Sequence, residues 1–202
     1  MPHYQNTGLT QGNTLLQGGW AMYVAATAGT LAGTGGTNMG IGNLTGITEN
    51  IGAYTVQAGN APDPLEGVAD QTVTVTFETL EFYLPTYNVI RGDELDTSGT
   101  ASVGTYVTGG SVFTLSTGGF TQIGQCALKF TNSKLVSGAT VETAIVFYKC
   151  FLNQGLAFTP KTDNDEDPVT IIPWTLTAKV DTARTAGDQL YKIETELAIA
   201  SA

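Results

Sequence analysis

The twenty-four residues from Ala69 to Gly92, ADQTVTVTFETLEFYLPTYNVIRG, narrow the possible folds of this chain more than any other stretch. Val73, Val75 and Phe77 alternate with Thr72, Thr74, Thr76 and Glu78. Period two in β-branched residues is the pattern of a strand with one face in a core and one face out. Leu80 and Phe82 then carry the apolar positions on the even count, which predicts a bulge or a change of partner near Glu78–Thr79. Pro85 is suited to the first turn of a helix, where its missing N–H costs nothing. Leu84, Tyr87 and Val89 or Ile90 give that helix a short apolar stripe, and Gly92 is placed to cap it. A long strand running into a two-turn helix cannot bury both of its faces alone, so the rest of the chain must cover it.

Around this unit the signals are short strands separated by glycine-rich turns. Residues 1–18 are polar and without period, which predicts an N-terminal arm ahead of a single domain over 19–202. Gly19–Ala26 forms a strand with Trp20, Met22 and Val24 on one face. Thr27–Gly40 reads as a Gly/Thr loop. Ile41–Ile47 and Ile51–Ala58 read as two strands of a hairpin turning at Glu49–Asn50, and Gly59–Gly67 as the loop before the long strand. Beyond Gly92, Val103–Val107 and Val112–Ser116 flank Gly109–Gly110 as a second hairpin. Phe120–Asn132 and Val141–Leu152 are strands joined by a turn over Ser133–Ala139. Strand signals recurring about every ten residues imply an antiparallel β-sandwich or barrel, flanked by one short helix at Pro85–Arg91.

Charge sets limits on function. The net charge is −10, and no Lys or Arg precedes Arg91. The first ninety residues hold Glu49, Asp63, Glu66, Asp70, Glu78 and Glu81 with no base among them, which speaks against a signal peptide, a transit peptide and binding of DNA through its phosphates. No apolar run approaches the length of a membrane helix. Only 13% of residues are charged, against roughly 25% in ordinary globular chains, and a surface that poor in charge favours self-association.

Catalytic and metal chemistry is sparse. His3, the one histidine, falls in the arm. No Cys/His set has zinc spacing, the glycines of 33–42 lack a nucleotide fingerprint, and no cofactor is expected. Asp163, Asp165 and Asp167 form the one ligand-like group. They lack the sixth-position glycine and distal glutamate of an EF-hand loop, so a solvated acidic loop is the reading. Cys126 and Cys150 lie on apolar strand patterns and are expected to be core thiols. Glu78 and Glu81, three apart, fall on opposite strand faces unless a bulge intervenes, which argues against a paired-carboxylate hydrolase.

Near the C-terminus, Val169–Val180 (VTIIPWTLTAKV) sets Trp174, Leu176, Ala178 and Val180 against Thr175, Thr177 and Lys179. Pro173 predicts an edge strand or a bulge at that point. The segment then runs DTARTAGDQLYKI, an Arg184-x-x-Gly187-Asp188 turn leading into a last strand. A Thr/Val strand ending in TLEF with a helix closed by glycine, followed in the C-terminal third by PWTLTAKVD and this turn, resembles the siphophage tail tube (major tail) proteins. The resemblance covers about a quarter of the chain. Its signature here is Val73, Val75, Phe77, Phe82, Gly92, Trp174, Arg184, Gly187 and Asp188. It implies a non-enzymatic virion protein, assembled in the host cytoplasm, whose copies form rings stacked into the phage tail tube. Implied partners are further copies of itself, the tape-measure protein and tail-tip or terminator proteins, with no membrane. DNA would pass through without specific binding, in a channel for which Glu49, Glu78 and Glu81 are the lumen-facing candidates. The alternative is a carbohydrate- or ligand-binding β-sandwich module, in which Trp20 and Trp174 would stand exposed as stacking platforms.

Overall fold

Ten elements make up the described part of the chain. The computed structural model describes residues 20–31, 36–40, 42–56, 65–80, 84–91, 124–136, 139–155, 157, 161 and 170–195. In chain order these are β1 (Ala21–Ala25), α1 (Ala28–Leu31), β2 (Thr37–Asn38), β3 (Gly42–Val56), β4 (Leu65–Thr79), α2 (Leu84–Arg91), β5 (Cys126–Val136), β6 (Ala139–Leu152), β7 (Ile172–Lys179) and β8 (Tyr191–Thr195). The chain is mainly β. Its strands form one eight-stranded antiparallel sheet in the order β2-β1-β5-β6-β7-β4-β3, with β8 also paired to β6. The arm over 1–18, the hairpin over 103–116, and Glu81, Phe82, Gly92, Asp163, Asp165 and Asp167 lie outside the described residues.

β4 supplies the centre of the core. Val73, Val75, Phe77 and Thr79 are all buried, so the inward face keeps one parity to the end of the strand. The expected phase slip at Glu78–Thr79 does not occur: β4 stops at Thr79 and Leu80 is exposed. The hydroxyl of Thr79 substitutes for an apolar side chain because it accepts the Trp174 indole N–H at 3.0 Å, which satisfies both buried polar groups. The irregularities sit elsewhere, between Leu44 and Gly46 and between Gly52 and Ala53 in the β3–β4 ladder. Phe77 packs edge-on to Phe130 at 5.3 Å and stacks on Trp174 at 6.1 Å. Tyr87 and Ile90 of α2 join that cluster, with Trp20 and, from β1, Met22 and Val24 in the same core.

Four further expectations are corrected. The two short strands turning at Glu49–Asn50 are one fifteen-residue strand, β3, and its partner β4 begins at Leu65 inside the supposed loop. Glu49 and Asn50 make no turn because both pair in the ladder with β4, opposite Val73 and Thr72, and Gln71 also engages the Glu49 carboxylate. The Thr27–Gly40 loop holds α1 and β2, with Leu31 buried against Ala127, Val146 and Tyr148. The turn after β5 is tighter than Ser133–Ala139, since β5 runs to Val136 and β6 resumes at Ala139.

Pro173 is accommodated by how β7 is shared. The strand pairs with β4 along its whole length, Ile172 to Lys179, but with β6 only from Leu176 to Ala178. Over its first residues β7 therefore has one ladder partner among the described strands, and a missing N–H is tolerated there. Cys126 and Cys150 face each other across β5 and β6, both buried and both free thiols. Burial pushes the Cys126 thiol up to about 12 and raises Cys150 in the same direction, so neither is poised as a nucleophile.

Candidate functional site

The feature that stands out from the body is the outer half of the β3–β4 hairpin. β7 reaches β4 only as far as Thr72. Beyond that point Leu65–Asp70 pairs with β3 alone among the described strands. The result is a two-stranded ribbon, a unit of marginal stability in water without further cover. Ile51 is 58% exposed, Val68 is 60% exposed, and Tyr54 is exposed beside them. The Tyr54 ring lies over Gly67, where a side chain would collide with it. β3 is the sheet's edge among the described strands. It carries neither Lys nor Pro, the residues that blunt an edge against pairing with another chain.

The β3–β4–β7 ladder from which the ribbon extends has two dissimilar faces. Residues directly opposite in an antiparallel ladder share a face. Glu49 pairs with Val73 and Ile47 with Val75, so Ile47 and Glu49 lie on the core side, at the rim where cover runs out. Glu78 pairs with Asn43 and Pro173, on the outward side. Glu49 and Glu78 are thus on opposite faces, and the structure does not bring them together. The outward face is a hydroxyl array: Thr48, Thr74 and Thr177 stand in one row, Thr76 and Thr175 in the next.

The Asp181–Leu190 segment is an excursion within one line of strand. β7 and β8 both run antiparallel to β6 on the same side, with Ala178 opposite Cys150 and Tyr191 opposite Phe147. The intervening residues are extruded as a self-closed loop. The Asp181 N–H donates to the Gln189 carbonyl at 2.8 Å, and Gly187 takes a φ of 89°, which favours glycine. Arg184 donates through Nε to the Asp188 carbonyl at 2.9 Å and through Nη2 to its carboxylate at 2.6 Å. The guanidinium lies 3.7 Å from the centre of the Tyr148 ring, and the Tyr148 hydroxyl donates to Asp188. Arg184, Gly187 and Asp188 are therefore brought together, on a tyrosine of β6 that sequence reasoning missed. Burial, then the hydrogen bond to Asp188, pushes the Tyr148 hydroxyl up to about 12. That tyrosine and Arg184 together hold the Asp188 carboxyl below its ordinary range.

This arrangement locks a loop and presents no reactive group. Beside it lies a groove of about 180 Å³ lined by Lys129, Arg184, Lys192 and Glu194 with Leu31 and Val146. Three of the chain's eight bases thus share one patch. Among the described residues no group of three or more His, Cys, Asp or Glu side chains is placed to hold a metal. Trp20 and Trp174 are buried, so neither offers a stacking platform. No helix among the described residues is long and apolar enough to cross a membrane.

No family model matches the chain, and no curated protein matches it. Among solved structures the chain is similar to the tube-terminating cap of the anti-feeding prophage, determined by cryo-electron microscopy, at 9% identity and a TM-score of 0.42 over 94% of this chain and 99% of that one. A superposition at that score establishes neither a shared fold nor a shared role.

Proposed function

We propose that this chain is a structural protein of a phage tail whose copies assemble into stacked rings, the wall of a tube through which DNA passes. It has no catalytic role in this reading. Its partners are further copies of itself, the tape-measure protein inside the tube and the proteins that cap its ends. The observation that carries the reading is the ribbon: a long edge without Lys or Pro, bearing exposed Ile51, Tyr54 and Val68 and standing clear of its own core. Such an edge is an aggregation hazard in a monomer and an asset in a ring, where head-to-tail contacts close by rotation. The sparse surface charge and the sequence resemblance described above point the same way.

Only one face of the β3–β4–β7 ladder can line a channel in this reading. The outward face carries Glu78 among threonines, a polar wall with little for a phosphate backbone to grip, and Glu49 belongs to the other side. Electron microscopy of the concentrated full-length protein, with and without a tail-tip seed, tests the reading. Rings or tubes are expected, and particles that remain single subunits under both conditions would refute it.

A further inference from the structure

The β5–β6 hairpin is closed at one end, where Val136 pairs with Ala139, and open at the other. Its last rung at the open end is Cys126 opposite Cys150. Cys150 also pairs with Ala178, so this rung is where β5, β6 and β7 meet. Both cysteines belong to the core cluster with Leu128, Phe147 and Ala178, and both are free thiols. Any two small apolar side chains would fill that space, yet the chain places its only two cysteines there.

The geometry suits a bond between them. Directly opposite residues of an antiparallel pair have Cα atoms about 4.5–5.5 Å apart, inside the roughly 4.4–6.8 Å that a disulfide spans. The sulfurs stand close enough that charge on Cys126 disfavours charge on Cys150. A flat ladder resists the dihedral of roughly 90° that an S–S bond requires. Here the register shifts between Cys126 and Leu128, and a bulge bends and twists a strand locally. A small molecule has a way in. A groove of about 120 Å³ has Cys126 in its lining, with Thr27, Gln125, Lys149 and Asp181. A water takes up about 30 Å³, so a molecule the size of hydrogen peroxide fits beside the sulfur.

We propose that Cys126 and Cys150 form a modification site, at which a peroxide-class oxidant converts the two thiols into one intrachain disulfide that ties the open end of the β5–β6 hairpin at its junction with β7. The Cys126 sulfur attacks one peroxide oxygen, and the O–O bond breaks. A sulfenic acid forms, and the other oxygen leaves as water with the thiol proton. The Cys150 sulfur then attacks the Cys126 sulfur, and the sulfenic hydroxyl leaves as a second water with the Cys150 proton. Two electrons pass from the thiol pair to the peroxide. Burial keeps both thiols protonated, so the bond forms slowly, as a lasting lock and not as a fast sensor. Only its use rests on the tail assignment above: subunits stay reduced during assembly in a cytosol and lock once the particle meets an oxidising exterior.

The test incubates the folded full-length protein with hydrogen peroxide, then denatures, alkylates and digests it for mass spectrometry. No alkyl group at either cysteine and a peptide pair joined through Cys126 and Cys150 are expected, both reversed by dithiothreitol. The oxidised chain is expected to melt about 5–10 °C above the reduced one. Cys126→Ser and Cys150→Ser, each with one thiol, are expected to show no such gain. Ala26→Trp, at an exposed position on the groove, is expected to slow the oxidation at least tenfold, and an unchanged rate contradicts entry by the groove. Thiols that both stay alkylatable, that go separately to sulfinic acids, or that link two chains overturn the proposal, as does a disulfide that leaves the melting curve unchanged. Electron microscopy of the same samples keeps the two readings apart. Rings or tubes without the disulfide overturn this site and leave self-assembly standing. The disulfide in particles that remain single subunits supports the site and refutes self-assembly.

Discussion

At the scale of single residues, burial and hydrogen bonding set the expected losses. Phe77 is 1% exposed between Phe130 and Trp174, so Phe77→Ala is expected to cost about 3–5 kcal/mol in a denaturant melt. Thr76→Ala, which loses only a 3.4 Å bond to the Gly46 carbonyl, is expected to cost under about 1 kcal/mol. Equal losses would contradict the strand phase. Thr79→Val keeps the shape but strips the Trp174 indole of its acceptor, at about 1–3 kcal/mol. Titration gives a second check. Asp188 is held below its ordinary 3.8, chiefly by the Tyr148 hydrogen bond and then by Arg184. A carboxyl lowered on folding stabilises fully above its unfolded value, and that stabilisation is lost as pH falls through the lower folded value. Asp188→Asn is therefore expected to melt below the wild type at neutral pH, with the gap closing below pH 3.8. Tyr148, raised from 10 to about 12, has the opposite sign: its contribution is complete below pH 10 and lost as pH climbs towards 12. Tyr148→Phe is expected to flatten that alkaline limb.

At the scale of elements, what the sequence reveals and hides follows from range. The inward parity of β4, the helix at 84–91 and the strands β1, β5, β6 and β7 are written in local period and capping, so they are legible without a structure. The single strand β3 is not. Glu49–Asn50 has the composition of a turn, yet it stays extended in the ladder with Thr72 and Val73 of β4, and Glu49 also meets Gln71 and Tyr191, the latter 142 residues away. The parity change at Leu80 looks like a bulge because a strand's end and a strand's slip produce the same pattern in a short window. Pro173 is readable as an edge signal, but not that β7 is an edge for only part of its length. The candidate site is the least legible. Arg184, Gly187 and Asp188 are visible as a turn, whereas Tyr148, which anchors them from 40 residues away, carries no local mark. Exposed Ile51, Val68 and Ile193 look like core residues in any periodicity count. Their significance lies in where the neighbouring strands stop. The ribbon should be separable from the body: Ile51→Lys with Val68→Lys, both at exposed positions, is expected to leave the melting temperature within a few degrees of the wild type.

At the scale of the whole molecule, the described residues form a folded body with an unfinished side. Its core is closed by aromatic packing around Phe77 and by α2, while the ribbon and the β8 edge leave apolar side chains and ladder groups in water. A low charge density keeps copies from repelling one another at short range, and residual repulsion is screened over about 8 Å at physiological salt. If the outward face lines the channel, Glu78→Lys is expected to preserve assembly and to slow genome ejection at low salt. Glu49→Lys, on the other face, is expected to leave ejection through intact tubes unchanged. Unchanged ejection in both variants would place both residues away from the channel wall, and slowing by Glu49→Lys alone would put the other face on it. The central claim is that the ribbon drives self-association, and sedimentation velocity of the wild type beside the Ile51→Lys, Val68→Lys chain tests it most directly. The prediction is ring-sized or larger particles for the wild type and a folded single subunit for the variant. Identical sedimentation of the two, whether both assembled or both monomeric, would contradict it.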